Sequence, residues 1–109
     1  MKIRVSGKHI EIGSALPGQV RERLETVVGK LFDGGAESNV VFSHEGTGFR
    51  ADCTMHLDSG IVIKAEGMAA DAYHAFDAAV DKLETQVRRY KRRLKNHHEK
   101  PKAQKQQAP

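Results

Sequence analysis

The feature that most constrains this chain of 109 residues is a one-sided apolar stripe near its C-terminal end. The stripe covers about six helical turns, and its members are Ala72, Phe76, Ala79, Val80, Leu83, Val87, Tyr90 and Leu94. Their spacing of three and four predicts an amphipathic helix, with Asp71 as its cap. Such a helix is stable only when its apolar face packs on another apolar surface, which the rest of the chain must provide.

A matching apolar surface is predicted in the middle of the chain. Between Phe49 and Asp58 apolar and polar residues alternate without a break, which predicts a strand with one buried face and one solvent face. The predicted buried face consists of Phe49, Ala51, Cys53, Met55 and Leu57. Cys53 is the only cysteine, so it can form no internal disulfide, and we expect it to be a small buried apolar side chain.

Three further strands and one further helix are predicted from the same kinds of pattern. These strands cover residues 2–10, 38–44 and 60–66. Short turns join the strands 38–44, 49–58 and 60–66 as antiparallel hairpins. A helix is predicted from Ser14 to Phe32, with Gly13 or Ser14 as its cap and Gly34-Gly35 at its end. Because this helix connects the first two strands, those strands should pair in parallel.

The predicted order is therefore strand-helix-strand-strand-strand-helix. It defines an α+β fold in which two helices pack on one face of a four-stranded mixed sheet. We expect this domain to cover residues 1–97. Residues 98–109 are polar, include two prolines and have no periodicity, which predicts a disordered basic tail or a linker.

The charges of the chain are strongly segregated. Residues 1–81 contain 8 Lys/Arg and 12 Asp/Glu, a net charge of −4, whereas residues 82–109 contain 10 and 2, a net charge of +8. Clustered cations of this kind favour a polyanionic partner, either nucleic acid or an anionic membrane. The sequence has no apolar run of about 20 residues and no secretory signal, so we expect a cytoplasmic protein without membrane insertion.

The cations of the last helix lie on both sides of its apolar stripe. At about 100° per residue, Lys82, Arg89 and Arg93 share one flank, while Arg88, Arg92 and Lys95 lie on the far side. A charged helix of this kind is often only a solvated surface, but here Glu84 and Glu99 alone interrupt the cations. Arginine matches phosphate oxygens and stacks on bases, and the apolar face is committed to the sheet, so nucleic acid is favoured over lipid.

The sequence offers little support for catalysis or for a metal. None of the six histidines pairs with another at helical i, i+4 spacing, and no phosphate-binding or nucleophile motif is present. Asp77 and Asp81 are one turn apart and could form a carboxylate cluster. We expect them instead to balance the charges of Arg88 and Lys82. The prediction is a protein that is not an enzyme and uses no cofactor and no metal.

The segment DAYHAFDAAVDKLETQVRRYKRRLK, from Asp71 to Lys95, resembles the signature of the ribosome hibernation-promoting factor and ribosome-associated inhibitor family. This family is also called sigma-factor modulation proteins or ribosomal subunit interface proteins, and the likeness extends over roughly residues 2 to 95. The resemblance implies binding to the small ribosomal subunit and its 16S-type rRNA, in the channel of messenger and transfer RNA. It further implies competition with both RNAs and inhibition of translation by occlusion during stress or stationary phase.

The resemblance also implies which cations bind RNA. The first group is Lys82, Arg89, Lys91 and Arg93, and the second, supporting group is Arg88, Arg92 and Lys95. Further contacts are expected from Lys2, Arg4 and Lys8 on the first strand and from Arg21, Arg23 and Lys30 on the first helix. His44 and Thr85 stand where relatives often have a cation, which weakens the positive surface at these two points.

Two alternatives remain open from the sequence. The chain is either a natural short form or the N-terminal domain of a long form, and pairing with a second ribosome would require the long form. The alternative function is a general double-stranded RNA- or DNA-binding domain, because a sheet backed by a basic helix also suits recognition of duplex shape.

Overall fold

The computed structural model describes residues 2–29 and 36–99 and confirms the predicted α+β order. Its elements are β1 (Lys2–Gly7), α1 (Ala15–Gly29), β2 (Ala36–Glu45), β3 (Gly48–Leu57), β4 (Val62–Ala69) and α2 (Ala72–Glu99). The four strands form one mixed sheet in the order β1-β2-β3-β4. The strands β1 and β4 are therefore the two edges of this sheet.

The strand pairing is the one that the connections predict. β1 pairs with β2 in parallel, because α1 carries the chain back across the sheet between them. β2, β3 and β4 are antiparallel and joined by hairpins, in which Gly46 and Gly60 adopt positive φ angles of 60° and 93°. In this register Cys53 lies between Val40 and Ala65 on neighbouring strands.

The core lies between the sheet and the two helices. Side chains alternate between buried and accessible along β3, and of the apolar face predicted there Ala51, Cys53, Met55 and Leu57 are buried while Phe49 is half-buried. From α2, the buried members of the stripe are Phe76, Ala79, Val80, Leu83 and Val87. Cys53 is buried as predicted, and this burial raises the pKa of its thiol to about 12.

Several element boundaries differ from the predicted ones. β1 ends at Gly7, three residues early, because His9 adopts a positive φ of 62° that a regular strand does not allow. β4 extends past Glu66 to Ala69, because its pairing with β3 continues to Ala69. The prediction ended at Glu66 because Gly67 interrupts the apolar alternation in the sequence. α2 includes residues 98 and 99 of the predicted tail, and residues 100–109 lie outside the described part. The predicted end of the first helix, at residues 30–35, also lies outside it.

The sheet and α2 approach each other closely at Gly67 on β4. A Cβ atom built there would lie 2.5 Å from the backbone nitrogen of Ala79 and closer still to the carbonyl oxygen of Ala75. Only a glycine lets the two backbones approach so closely, and Ala75 is fully buried at this contact. The apolar stripe read from the sequence did not include Ala75 or Gly67.

We expect Gly67→Ala to destabilise the fold by about 1–3 kcal/mol, because the added methyl group must push β4 and α2 apart. The matched control is Gly18→Ala in α1, where an added Cβ meets nothing within 4 Å. That variant should be stabilised by about 0.5–1 kcal/mol through its higher helix propensity. Urea denaturation of both variants measures the effect, and an unchanged midpoint for Gly67→Ala would contradict the close approach.

Candidate nucleic-acid interface

The cations of the first predicted flank of α2 lie around one groove. The groove has a volume of about 650 Å³ and lies between α2 and the beginning of β4. Lys82, Arg89 and Arg93 line it on the helix side and are exposed. Among the described residues, none of these three cations has a carboxylate within ion-pair distance. Their positive charge is therefore available to a ligand.

The groove also contains residues that the sequence reasoning missed. Ile61 and Val62 line it from the strand side, and Gln86 and Tyr90 line it from the helix. Two adjacent apolar residues at the start of a strand cannot both face the core, and this was the available signal in the sequence. Both side chains are exposed at the edge of the sheet.

The second predicted group of cations is only partly available. Arg88 forms an ion pair with Glu84 one turn earlier, with 2.8 Å between Nη2 and Oε2. The interpretation of Glu84 as a mere interruption was therefore incomplete, since it neutralises one of the cations. Arg92 is exposed, and the side chain of Lys95 lies outside the described part. Lys91, a member of the first group, is exposed but does not line the groove.

Arg23 of α1, one of the predicted RNA-binding cations, forms ion pairs with two carboxylates of α2. It lies 3.3 Å from Asp77 and 3.6 Å from Asp81, so it bridges α1 to α2. The expectation that the two aspartates balance Arg88 and Lys82 was wrong, because the packing of the helices brings Arg23 closer. Arg23 offsets part of the negative charge of these carboxylates beside the groove, and its predicted contact with RNA stays a prediction.

The other predicted cations are distributed over separate surfaces. Lys2 and Arg4 are exposed on the sheet face opposite the helices, because Ile3 and Val5 turn toward the core. Lys8 follows β1 on the same side, beside His44 and Arg50. Arg21 is exposed on α1, and Lys30 lies outside the described residues.

The centre of the open sheet face is occupied by a charge cluster around Arg50. Its Nε lies 3.1 Å from both carboxylate oxygens of Asp52, its Nη1 lies 3.9 Å from Glu45, and its Nη2 bonds to Glu66. The hydrogen bond to Asp52 is the main cause that raises the pKa of Arg50. Lys8 and Lys64 line the adjoining surface, so the three carboxylates balance three cations and leave no positive excess to attract a polyanion at this position.

Asp71 caps the first turn of the basic helix α2, as predicted. Its Oδ1 accepts a hydrogen bond of 2.8 Å from the backbone N–H of His74, and its Oδ2 lies 2.7 Å from the His74 ring. The backbone bond is the main cause that lowers the pKa of Asp71, and the side-chain bond is the main cause that raises the pKa of His74.

Other classes of site receive no support in the described residues. Within residues 2–29 and 36–99, no three His, Cys, Asp or Glu side chains converge as they would around an ion. Over the same ranges, neither helix combines the length and the apolar character that crossing a bilayer requires.

Comparison with known proteins agrees with the fold and the basic helix. Residues 3–95 match the model of the family described as Sigma 54 modulation protein / S30EA ribosomal protein. The chain belongs to this family, which confirms the resemblance found in its sequence.

Its relatives carry names that concern ribosome hibernation. A ribosome hibernation promotion factor of Rhizobium meliloti is 49% identical over 98 residues, which cover 90% of this chain and 52% of that protein. One of Bradyrhizobium diazoefficiens is 46% identical, covering 88% and 47%. This chain thus spans about half the length of these two relatives. The ribosome hibernation promoting factor of Escherichia coli is 35% identical, covering 89% and 100%.

A solved structure shares the fold. The crystal structure of the N-terminal domain of Thermus thermophilus Protein Y superposes with a TM-score of 0.74 at 36% sequence identity. The superposition covers 83% of this chain and 99% of that one.

The cap of α2 gives a prediction for pH dependence. Stabilisation by Asp71 is present above its ordinary pKa of 3.8 and is lost as the pH falls through its lowered pKa. Stabilisation from charged His74 is present below 6.5 and is lost as the pH rises through its raised pKa. In an NMR titration we expect His74 to titrate above 6.5, and Asp71→Asn to return it toward 6.5.

Asparagine also caps helices well, so Asp71→Asn should leave the helix intact. A titration midpoint of His74 that is the same in both proteins would contradict the contact.

Proposed function

We propose that this chain is a ribosome hibernation factor that binds the small ribosomal subunit in the channel of messenger and transfer RNA. Binding inhibits translation by occlusion, in the cytoplasm, during stress or stationary phase. The observation that carries the proposal is the alignment of Lys82, Arg89 and Arg93 along one groove of α2. The names of the relatives identify the ribosome as the partner to test.

We propose that the 16S-type rRNA backbone lies against the helix side of the domain, and the charge distribution supports this. Cations that replace condensed counterions on phosphates gain free energy when the counterions are released. Lys91 and Arg92 extend the positive surface beyond the groove, whereas around Arg50 on the open sheet face the cations are offset by three carboxylates. Lys2, Arg4, Lys8 and Arg21 add contacts at the periphery.

The mechanism requires no chemical step. A protein that fills the channel excludes messenger and transfer RNA because one volume cannot hold both. We propose that residues 1–97 form the ribosome-binding domain and that residues 98–109 form a tail or linker. Pairing with a second ribosome would need a longer form.

A second candidate function is general binding of double-stranded RNA or DNA. It is favoured by one observation, that exposed cations lie both on the groove side of α2 and beyond it at Arg92. Duplexes recognised by shape would bind such a surface without sequence preference. The two functions differ in one measurable outcome, since a ribosome factor sediments with small subunits at near-physiological salt and a duplex binder does not.

We expect the triple change of Lys82, Arg89 and Arg93 to alanine to abolish binding to purified small subunits without loss of the fold. Each phosphate contact contributes about −0.7 to −0.9 to the slope of log K against log salt. Arg89→Ala should therefore reduce the steepness of this slope by about 1. The measurement is a binding titration at several salt concentrations.

The control is Lys64→Ala, which removes one cation from the open face of β4 and should leave the slope unchanged. Circular dichroism verifies that each variant is folded. Equal slopes for the wild type and Arg89→Ala, or undiminished binding by the triple variant, would contradict the phosphate contacts.

Occlusion predicts competition with transfer RNA. Labelled protein should be displaced from small subunits when messenger and initiator transfer RNA are added, and the displacement should follow the occupancy of the transfer RNA site. The control is messenger RNA without transfer RNA at the same ionic strength. Simultaneous binding of the protein and transfer RNA at unchanged affinity would rule out the occlusion mechanism.

A further inference from the structure

The groove beside α2 has an apolar side that phosphate binding does not explain. Ile61 and Val62 are 41% and 45% exposed, and they are two of the four large apolar residues exposed in the described part of the chain. Single exposed apolar residues are ordinary, but these two are adjacent and both line the same groove. Its volume of about 650 Å³ lies within the range of small-ligand sites.

The walls of this groove are held in place by contacts within the protein. The Tyr90 hydroxyl lies 2.8 Å from Ser59 Oγ, which ties the turn between β3 and β4 to α2. The Nε2 of Gln86 donates a hydrogen bond of 2.6 Å to the carbonyl oxygen of Lys64 on β4. The apolar side and the cationic side are therefore kept at a constant separation.

The hydrogen bond of Gln86 has two further consequences. Because Nε2 of Gln86 donates to the Lys64 carbonyl oxygen, the orientation of the amide is fixed. Its Oε1 is then the atom that can accept a hydrogen bond from a ligand. In addition, Gln86 occupies the Lys64 carbonyl on the free edge of the sheet. An added peptide strand would need that carbonyl, so strand addition is disfavoured at this point.

The charge of the groove is suited to an anion next to the apolar side. Lys82, Arg89 and Arg93 are three of its lining residues, and Asp81 is the one carboxylate among those that line it. Asp81 lies 3.6 Å from Arg23, which offsets its negative charge. These features of the groove match a ligand that has a flat apolar group, a hydrogen-bond donor and adjacent phosphates. A nucleotide has all three.

We propose that the groove binds one unpaired nucleobase of RNA, with its flanking phosphates on Lys82, Arg89 and Arg93. The base packs over Ile61 and Val62 beside Tyr90, and Gln86 Oε1 accepts a hydrogen bond from an exocyclic amino group. The proposal rests on the proposed phosphate binding by α2 and adds what that binding lacks, a preference for single-stranded over paired RNA. Cytosine has the required amino group, whereas uracil has an oxygen at the same position.

The test compares three RNA oligomers of equal length: oligocytidylate, oligouridylate and an abasic oligomer with the same phosphates. We expect the abasic oligomer to bind about tenfold more weakly than oligocytidylate, as for loss of a stacked base. We expect oligouridylate to bind about fivefold more weakly, as for loss of one hydrogen bond. Fluorescence anisotropy at constant salt measures all three affinities.

Three variants separate the parts of the groove. The double change Ile61→Thr and Val62→Thr keeps the branched shape of both side chains and should abolish the advantage of oligocytidylate over the abasic oligomer. Gln86→Leu should abolish the advantage over oligouridylate, and because it also removes the hydrogen bond to the Lys64 carbonyl, only the ratio of the two affinities tests the contact with the base. Met68→Thr is the matched control, because Met68 is 53% exposed on β4 outside the groove and should change neither ratio.

Equal affinities for the three oligomers, or no binding of oligocytidylate at millimolar concentration, would overturn the nucleobase site. It would also be overturned if the double threonine variant kept both ratios but bound small subunits more weakly, since the apolar side would then contact a ribosomal protein. Sedimentation of wild-type protein with small subunits is measured separately. If the wild-type protein does not sediment with small subunits but still prefers oligocytidylate, the proposed function is refuted and the nucleobase site still stands.

Discussion

The rest of the structure depends on the contact between α2 and the sheet. The apolar face of this helix lies over β3 and β4, and the backbones touch where Gly67 faces Ala75 and Ala79. Because the contact is made by backbone atoms and small side chains, it allows little sliding or rotation of the helix. The directions of the α2 side chains from Ala72 to Arg93 follow from this one constraint.

One consequence is that folding and charge placement are coupled. When Leu83 and Val87 are buried, Lys82, Arg89 and Arg93 must emerge beside β4, and Arg92 must emerge on the solvent side. The groove thus exists because the helix is packed, and its cations need no separate device to hold them together. Gln86 and Tyr90 connect the same helix to β4 and to the preceding turn.

The two faces of the domain therefore differ in electrostatic character. On the helix side, Glu84 is paired with Arg88, and Arg23 offsets one of the two negative charges of Asp77 and Asp81. On the open sheet face, Arg50 is surrounded by three carboxylates. The net charge of +4 does not show this division between the two faces. We expect a polyanion to bind the helix side in preference to the open sheet face.

Periodicity in the sequence was sufficient for the fold, because alternation along β3 and the stripe of α2 report which face each residue must bury. The same stripe placed Lys82, Arg89 and Arg93 on one flank before any contact was known. The ion pairs of Arg23 and the backbone approach at Gly67 could not be found in this way. They join residues that are far apart in the sequence, and local periodicity carries no information about which distant element packs against a given face.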